Sequence, residues 1–278
     1  MSGGLARALE PVLDFVFPPR CPACGAGVGR HGGLCGDCWA GLAIPAEPWC
    51  AACQRPLRGD DGAGPDDGAS ALCAPCLAKP PRHDGIYAAT LYTPTSRKLV
   101  LAFKHGRRIA LAPMLARLIA ARLPADGAGR MIVPVPLHRG RLWVRGYNQA
   151  ALLAHELARL GQGEVMVDAL ERRRGTPSLG GLGAKARRRA LAGAIVVRER
   201  AKARIAGREI LLVDDVFTSG ATSEACVRAL RGARARSVRI ACFARVLDES
   251  LDAVRRPLPD RVLRESETPG AITAPGAT

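Results

Sequence analysis

The stretch Ile210-Leu211-Leu212-Val213-Asp214-Asp215-Val216-Phe217-Thr218-Ser219-Gly220-Ala221-Thr222 constrains the fold more than any other part of the chain. Four consecutive apolar residues without alternation read as a strand buried on both faces, the pattern of a parallel sheet. The run ends in two acids and a turn bearing hydroxyls and glycine, and a helix is expected over about 223–232. In open α/β sheets, ligands sit just beyond the carboxyl ends of such strands. Free amides and the dipole at a helix start attract phosphate, so Thr218, Ser219, Gly220, Ala221 and Thr222 are candidate phosphate binders. Neighbouring side chains on an extended segment point to opposite sides. Asp214 and Asp215 are therefore expected to accept hydrogen bonds from adjacent sugar hydroxyls rather than to share a proton. Diol acceptors beside a phosphate cradle describe a reader of ribose 5-phosphate. The plainer alternative is a buried strand that ends in a solvated, Asp-rich turn. No Walker-type or dinucleotide-type glycine loop competes for the phosphate role.

The stretch resembles the signature of type I phosphoribosyltransferases, which bind 5-phosphoribosyl 1-pyrophosphate (PRPP). The aliphatic run, the paired acids, Thr218-Ser219-Gly220 and the following Thr222 occur together and in order.

A chain of 278 residues with 48% hydrophobic content is long enough for two domains and can bury a core. No apolar run approaches the roughly 18 residues of a membrane span. Leu5, Leu9, Val12, Leu13 and Val16 recur at helical spacing, but Glu10 and Asp14 interrupt them, so the start reads as a short amphipathic helix and not a secretion signal. A cytoplasmic location with reduced thiols is expected. The net charge of +16 is uneven. Residues 1–82 hold 7 Lys/Arg against 8 Asp/Glu, the remainder 34 against 17. Residues 172–208 alone carry 12 basic residues and one acid, Glu199. Polyanionic partners follow: phosphates, pyrophosphate or nucleic acid. An Arg- and Ala-rich composition from a GC-rich genome is the competing explanation.

Eight of the ten cysteines form four C-x-x-C pairs: Cys21/Cys24, Cys35/Cys38, Cys50/Cys53 and Cys73/Cys76. Two such turns complete a tetrahedral Cys₄ site, so eight thiolates provide for two zinc ions. Pro22, Gly25 and Gly36 sit where a knuckle must turn sharply. With no histidine between the pairs and no acid at a matching interval, closed structural sites are expected. Sequential pairing is simplest, and interleaved pairing stays open on spacing. Cys226 and Cys242 read as small buried hydrophobes. Residues 58–70, rich in Gly and Asp, read as an exposed insertion. Pro80-Pro81 marks a junction.

From Ile86 onward strand and helix alternate: strands over 86–92, 131–135, 195–197, 210–213 and 238–243, and helices over 96–105, 111–123 and 148–160. This order implies βαβ units and a parallel sheet flanked by helices. Val133-Pro134-Val135-Pro136-Leu137 ends a strand with a stiff, donor-poor backbone, and His138, Arg139, Arg141 and Arg145 follow as a basic turn. Asn148 is either a helix N-cap or a substrate contact. Residues 172–191 set glycines beside Lys185, Arg187, Arg188 and Arg189, which suits a lid over an anionic substrate. Lys104 to Arg108 form another basic turn.

The double Cys₄ segment followed by F-K-x-G-R, V-P-V-P-L, R-G-x-N-Q, R-R-x-x-T-P-S and V-D-D-x-x-T-S-G-A-T is similar to the competence-protein ComF family (also called GntX or ComFC) from about Leu13 to Leu247. The resemblance implies three regions: an N-terminal helix and double zinc ribbon over 1–82, a type I phosphoribosyltransferase domain over 83–250, and a disordered tail over 251–278. It implies a role in natural transformation and DNA uptake in the cytoplasm, on incoming single-stranded DNA and alongside a helicase. It implies PRPP with Mg²⁺, held by Asp214 and Asp215 on the ribose and Thr218 to Thr222 on the 5-phosphate. Pyrophosphate would meet the basic loops, with Arg139 and Arg141 after the strand and Lys185 and Arg188 in the lid. A phosphoribosyl transfer to an unidentified acceptor is the expected activity. A PRPP-responsive module that binds single-stranded DNA or the helicase without turnover is the alternative. The chain departs from the family pattern at Leu179 and Ala190, where Gln and Asn are common. Aromatic content of 4% offers no evident stacking platform.

Overall fold

The computed structural model describes residues 17–57, 71–105, 108–125, 127–173 and 193–247. The expected first helix, the insertion at 58–70, most of the basic lid with Lys185 and Arg188, and the tail lie outside them. Two short helices, α1 (Gly36–Ala40) and α2 (Ala74–Ala78), each begin on a cysteine of a knuckle. Then follow β1 (Ile86–Leu91), α3 (Pro94–His105), α4 (Ala112–Ala120), β2 (Met131–Pro134), α5 (Arg139–Arg145), α6 (Gln149–Arg159) and β3 (Glu164–Val165). The chain continues through β4 (Leu170–Arg172), β5 (Ile195–Val197), α7 (Glu199–Ile205), β6 (Glu209–Phe217), α8 (Ala221–Gly232) and β7 (Ser237–Arg245).

Five strands form one parallel sheet in the order β1-β7-β6-β2-β3. The central strand β6 shows why its apolar run does not alternate. Ile210 and Leu212 enter one buried cluster with Cys226, Val227 and Leu230 of α8. Leu211 and Val213 enter the other, with Leu99 and Phe103 of α3 and Leu153 and Leu157 of α6. Each face is therefore a core in its own right.

Three sequence expectations change. β6 does not stop before the acids but runs through Asp214 and Asp215 to Phe217, still paired with β7. Residues 195–197 form a strand outside the parallel sheet, in an antiparallel pair with β4. The basic turn after β2 is the helix α5, with His138 as its N-cap accepting from the Gly140 amide. No α5 side chain is buried, so no apolar period announces it.

The described residues up to Val246 form one compact unit, and the cysteine segment packs into it. Cys50, Cys53, Cys73 and Cys76 belong to the same cluster as Ile86, Ile210 and Ile240. The segment also meets the sheet edge. The Leu91 amide donates to the Ala43 carbonyl at 2.7 Å. The Ala88 amide donates to Gln54 Oε1 at 3.3 Å, and Thr90 Oγ1 donates to Ala43 O at 3.1 Å.

Candidate functional site

Strand β2 continues through α6 to β3 on one side, and β6 through α8 to β7 on the other. Such a reversal opens a crevice at the strand carboxyl ends. The crevice here is a cavity of about 230 Å³, lined by Val135 to Leu137 after β2 and by Asp214 to Val216 and Thr218 to Ser223 around the end of β6. Thr218 to Thr222, the candidate phosphate binders, all line it. Gly220 stands at φ 72°, the left-handed region that glycine tolerates. It begins the 12-residue helix α8 with no side-chain cap, so the turn presents backbone amides and a positive dipole end to the cavity.

Extended backbone turns neighbouring side chains to opposite sides, but Asp214 and Asp215 stay close enough for the Asp215 charge to act on Asp214. Both nevertheless line the cavity, because it lies over the strand end. Asp215, on the α3 face, pairs with Lys104 Nζ at 3.0 Å. Asp214 Oδ1 accepts the Asp215 amide at 2.9 Å. Burial pushes the Asp214 carboxyl up to about 8; the neighbouring Asp215 charge adds to this and Lys104 opposes it. Near neutral pH Asp214 therefore keeps a proton, and can donate as well as accept toward a sugar hydroxyl.

Four cationic side chains line the same cavity: Lys104 at the end of α3, Arg141 and Arg145 of α5, and Arg172 of β4. Of the two arginines expected at pyrophosphate, Arg141 lines the cavity, whereas Arg139 starts α5 and is not among the lining residues. Arg172 is buried, and its guanidinium is made easier to deprotonate first by that burial and then by Arg141. Lys104, Arg145 and Arg172 were not singled out as ligand residues from the sequence. Lys104 and Arg172 lie far from the Asp-Asp signature along the chain, and only the fold brings them together.

The R-G-Y-N-Q stretch explains the position of Lys104. Tyr147 donates to the Phe103 carbonyl at 2.5 Å and Gln149 to the Lys104 carbonyl at 3.5 Å. Asn148 caps α6 by accepting from Ala150 N, and its amide donates to Val135 O at 3.1 Å. These residues thus pin the end of α3 to the loop after β2.

The cysteines resolve into two tetrads, Cys21/Cys24/Cys35/Cys38 and Cys50/Cys53/Cys73/Cys76, with Sγ atoms in each within 4.8 Å of one another. Pairing is sequential. Sulfur separations of 3.5 Å for Cys24–Cys35 and 3.6 Å for Cys53–Cys73 suit thiolates at the tetrahedral Zn–S distance of about 2.3 Å. Backbone amides of Cys35, Ala23 and Cys24 overcome the effect of burial and hold the Cys21 thiol at about 6. The donor set fits a structural zinc in each. Cys226 and Cys242 are buried outside both tetrads, and burial pushes Cys242 up to about 12.

A parallel sheet with a phosphate-type loop at its switch point, beside two Cys₄ knuckle pairs, defines a phosphoribosyltransferase-fold protein with a double zinc ribbon. The corresponding family models match: the double zinc ribbon domain over residues 12–77 and the phosphoribosyl transferase domain over 144–261. The chain is 32% identical over 226 residues to the DNA utilization protein YhgH of Escherichia coli K12, covering 77% of this chain and 98% of that one. It is 29% identical over 241 residues to competence protein F of Haemophilus influenzae Rd, covering 84% and 100%. The chain belongs to the ComF family. Among the described residues no helix is long and apolar enough to cross a membrane.

Proposed function

We propose that the chain binds PRPP with Mg²⁺ in the cavity over β6 and transfers its phosphoribosyl group, releasing pyrophosphate, in the handling of DNA taken up by the cell. The observation that carries this reading is the convergence of two carboxylates, an uncapped helix start and four cations on one cavity. The amides of Thr218 to Thr222 hold the 5-phosphate. Asp214 and Asp215 hold the ribose hydroxyls, Asp215 oriented by Lys104. Arg141, Arg145 and Arg172 meet the pyrophosphate, a role we also propose for Lys185 and Arg188, which lie outside the described residues. Asp215 is already paired and Asp214 keeps its proton, so these carboxylates suit hydroxyls better than direct metal ligation. Mg²⁺, which retains water and phosphate oxygens, is then carried chiefly by PRPP. As the bond from C1 to pyrophosphate breaks, the cations stabilise the departing charge while the acceptor's lone pair forms the new bond at C1.

The DNA role rests on kinship with the DNA utilization protein and competence protein F. Single-stranded DNA and a helicase are the partners expected in a cytoplasmic setting. The test is titration calorimetry with Mg·PRPP on wild type and on Asp214→Ala/Asp215→Ala. Heat in wild type and none in the variant is expected; a silent wild type sinks the reading. Pyrophosphate release on adding nucleobases or single-stranded DNA then separates a transferase from a binding module.

A further inference from the structure

A second cavity adjoins the phosphate loop. It measures about 200 Å³ and shares Ser219 and Gly220 with the cavity over β6. Lys79 and Arg82, which follow the last cysteine of the second tetrad, also line it. Its volume lies below the roughly 300 Å³ at which sites for drug-sized ligands begin, so it admits one small ring system.

Phe217, Val227 and Ile240 give this cavity apolar walls. Its polar groups are Glu224, in the first turn of the 12-residue helix α8, and His83. His83 Nδ1 accepts the Gly85 amide at 3.3 Å, and burial pushes this imidazole down to about 4. The ring is therefore neutral with its proton on Nε2, a single donor. Lys79 and Arg82 are exposed, and among the described residues neither pairs with Glu224 or any other carboxylate. One acid and two cations thus line the same space with their charges uncancelled.

These groups suit an occupant with apolar faces, hydrogen-bond donors along one edge, an acceptor beside them, and an anion. A free ammonium is disfavoured at Glu224, because the positive end of the α8 dipole stands beside it, so the donor edge is a neutral one. Among the common nucleobases guanine alone presents two adjacent donors, N1–H and the N2 amine, which engage both oxygens of a carboxylate, and its O6 accepts from a neighbouring donor. We propose that this cavity binds a guanine nucleoside monophosphate, with its base between Glu224 and His83 and its phosphate at the mouth on Lys79 and Arg82. The assignment goes beyond the PRPP reading and does not depend on it.

The experiment is titration calorimetry of the full-length, zinc-loaded chain with GMP, IMP and guanosine, in the absence of PRPP. GMP gives heat, and IMP, which lacks the N2 amine, binds about tenfold more weakly. Glu224→Gln weakens GMP about tenfold and brings it level with IMP, a loss of preference that a merely structural role does not produce. Lys79→Ala/Arg82→Ala lowers GMP affinity toward that of guanosine and leaves guanosine itself unchanged. Asp214→Ala/Asp215→Ala keeps the wild-type affinity for GMP, and excess ribose 5-phosphate does not displace GMP from wild type. A wild type silent toward GMP overturns the proposal, as do equal affinities for GMP and IMP. Displacement by ribose 5-phosphate, or GMP binding that survives Glu224→Gln undiminished, puts the nucleotide in the first cavity and overturns it too. GMP binding in the expected pattern, with no heat from Mg·PRPP, sinks the PRPP reading and upholds this one.

Discussion

The two tetrads share a ligand set and differ in everything around it. In the first, Cys24 is exposed and Cys35 half-buried. In the second all four cysteines are buried, in the cluster that also holds Ile210 and Leu212 of the central strand. One knuckle pair touches a core through the partly buried Ala23 and Leu34, whereas the other places all four of its cysteines inside the sheet's core. The same metal chemistry can thus be a local staple in one place and part of the packing of a neighbouring domain in another.

The largest expected effect tests this difference directly. Cys76→Ser should lower stability by about 4 kcal/mol or more, because the metal's binding energy is folding energy and the vacated site opens into the core. Cys24→Ser should cost less than half of that and leave Mg·PRPP binding unchanged. Thermal unfolding and calorimetry on both variants read the outcome. Equal losses would erase the distinction.

Next comes a perturbation on the opposite face of the sheet. Lys104→Met leaves the buried Asp215 carboxylate without its partner and should cost about 3 kcal/mol, with weaker PRPP binding. Metal analysis should still find about two zinc ions per chain. Loss of zinc here would mean that the second tetrad answers to any damage in the sheet, not to its own contacts.

A smaller effect depends on pH. Asp214 has a folded-state value of about 8, far above the ordinary carboxylate range. Its protonated form therefore stabilises the fold at acid pH, and that contribution is lost as pH rises through about 8. Asp214→Asn should remove the slope, making the variant more stable than wild type at pH 8 by on the order of 2 kcal/mol. Melting curves from pH 5 to about 8.5 give the comparison, and parallel curves would show that Asp214 is ionised throughout. The smallest effect belongs to the surface. Arg200→Ala breaks an exposed pair with Asp168 and should cost no more than about 0.5 kcal/mol. Zinc release and PRPP binding should not change.

Much of this architecture is legible from local pattern. β6 and its following loop are contiguous in the chain, and each cysteine pair closes within one turn, so short-range spacing carries their meaning. Lys104 and Arg172 are not legible in the same way, because their roles depend on strand order and on which helix end meets which carboxylate. α5 escapes for another reason: with Leu142, Trp143 and Val144 exposed and nothing buried, its sequence has no apolar side to detect. The strand over 170–172 goes unread, and the one over 195–197 is read without its sheet, because three residues are too few to show a pattern or a partner.

The hydrogen bonds from β1 to Ala43 and Gln54 have a consequence for anyone dissecting the protein. β1 is the outermost strand on its side of the sheet, and an uncovered outermost strand is a template for unwanted pairing between molecules. The cysteine segment occupies that template through the amides of Ala88 and Leu91. Residues 83–250 expressed alone would present a bare flank. Such a fragment should self-associate through β1 and give ribbon-like aggregates unless a charge or a proline is placed there to take over the ribbon's protective role.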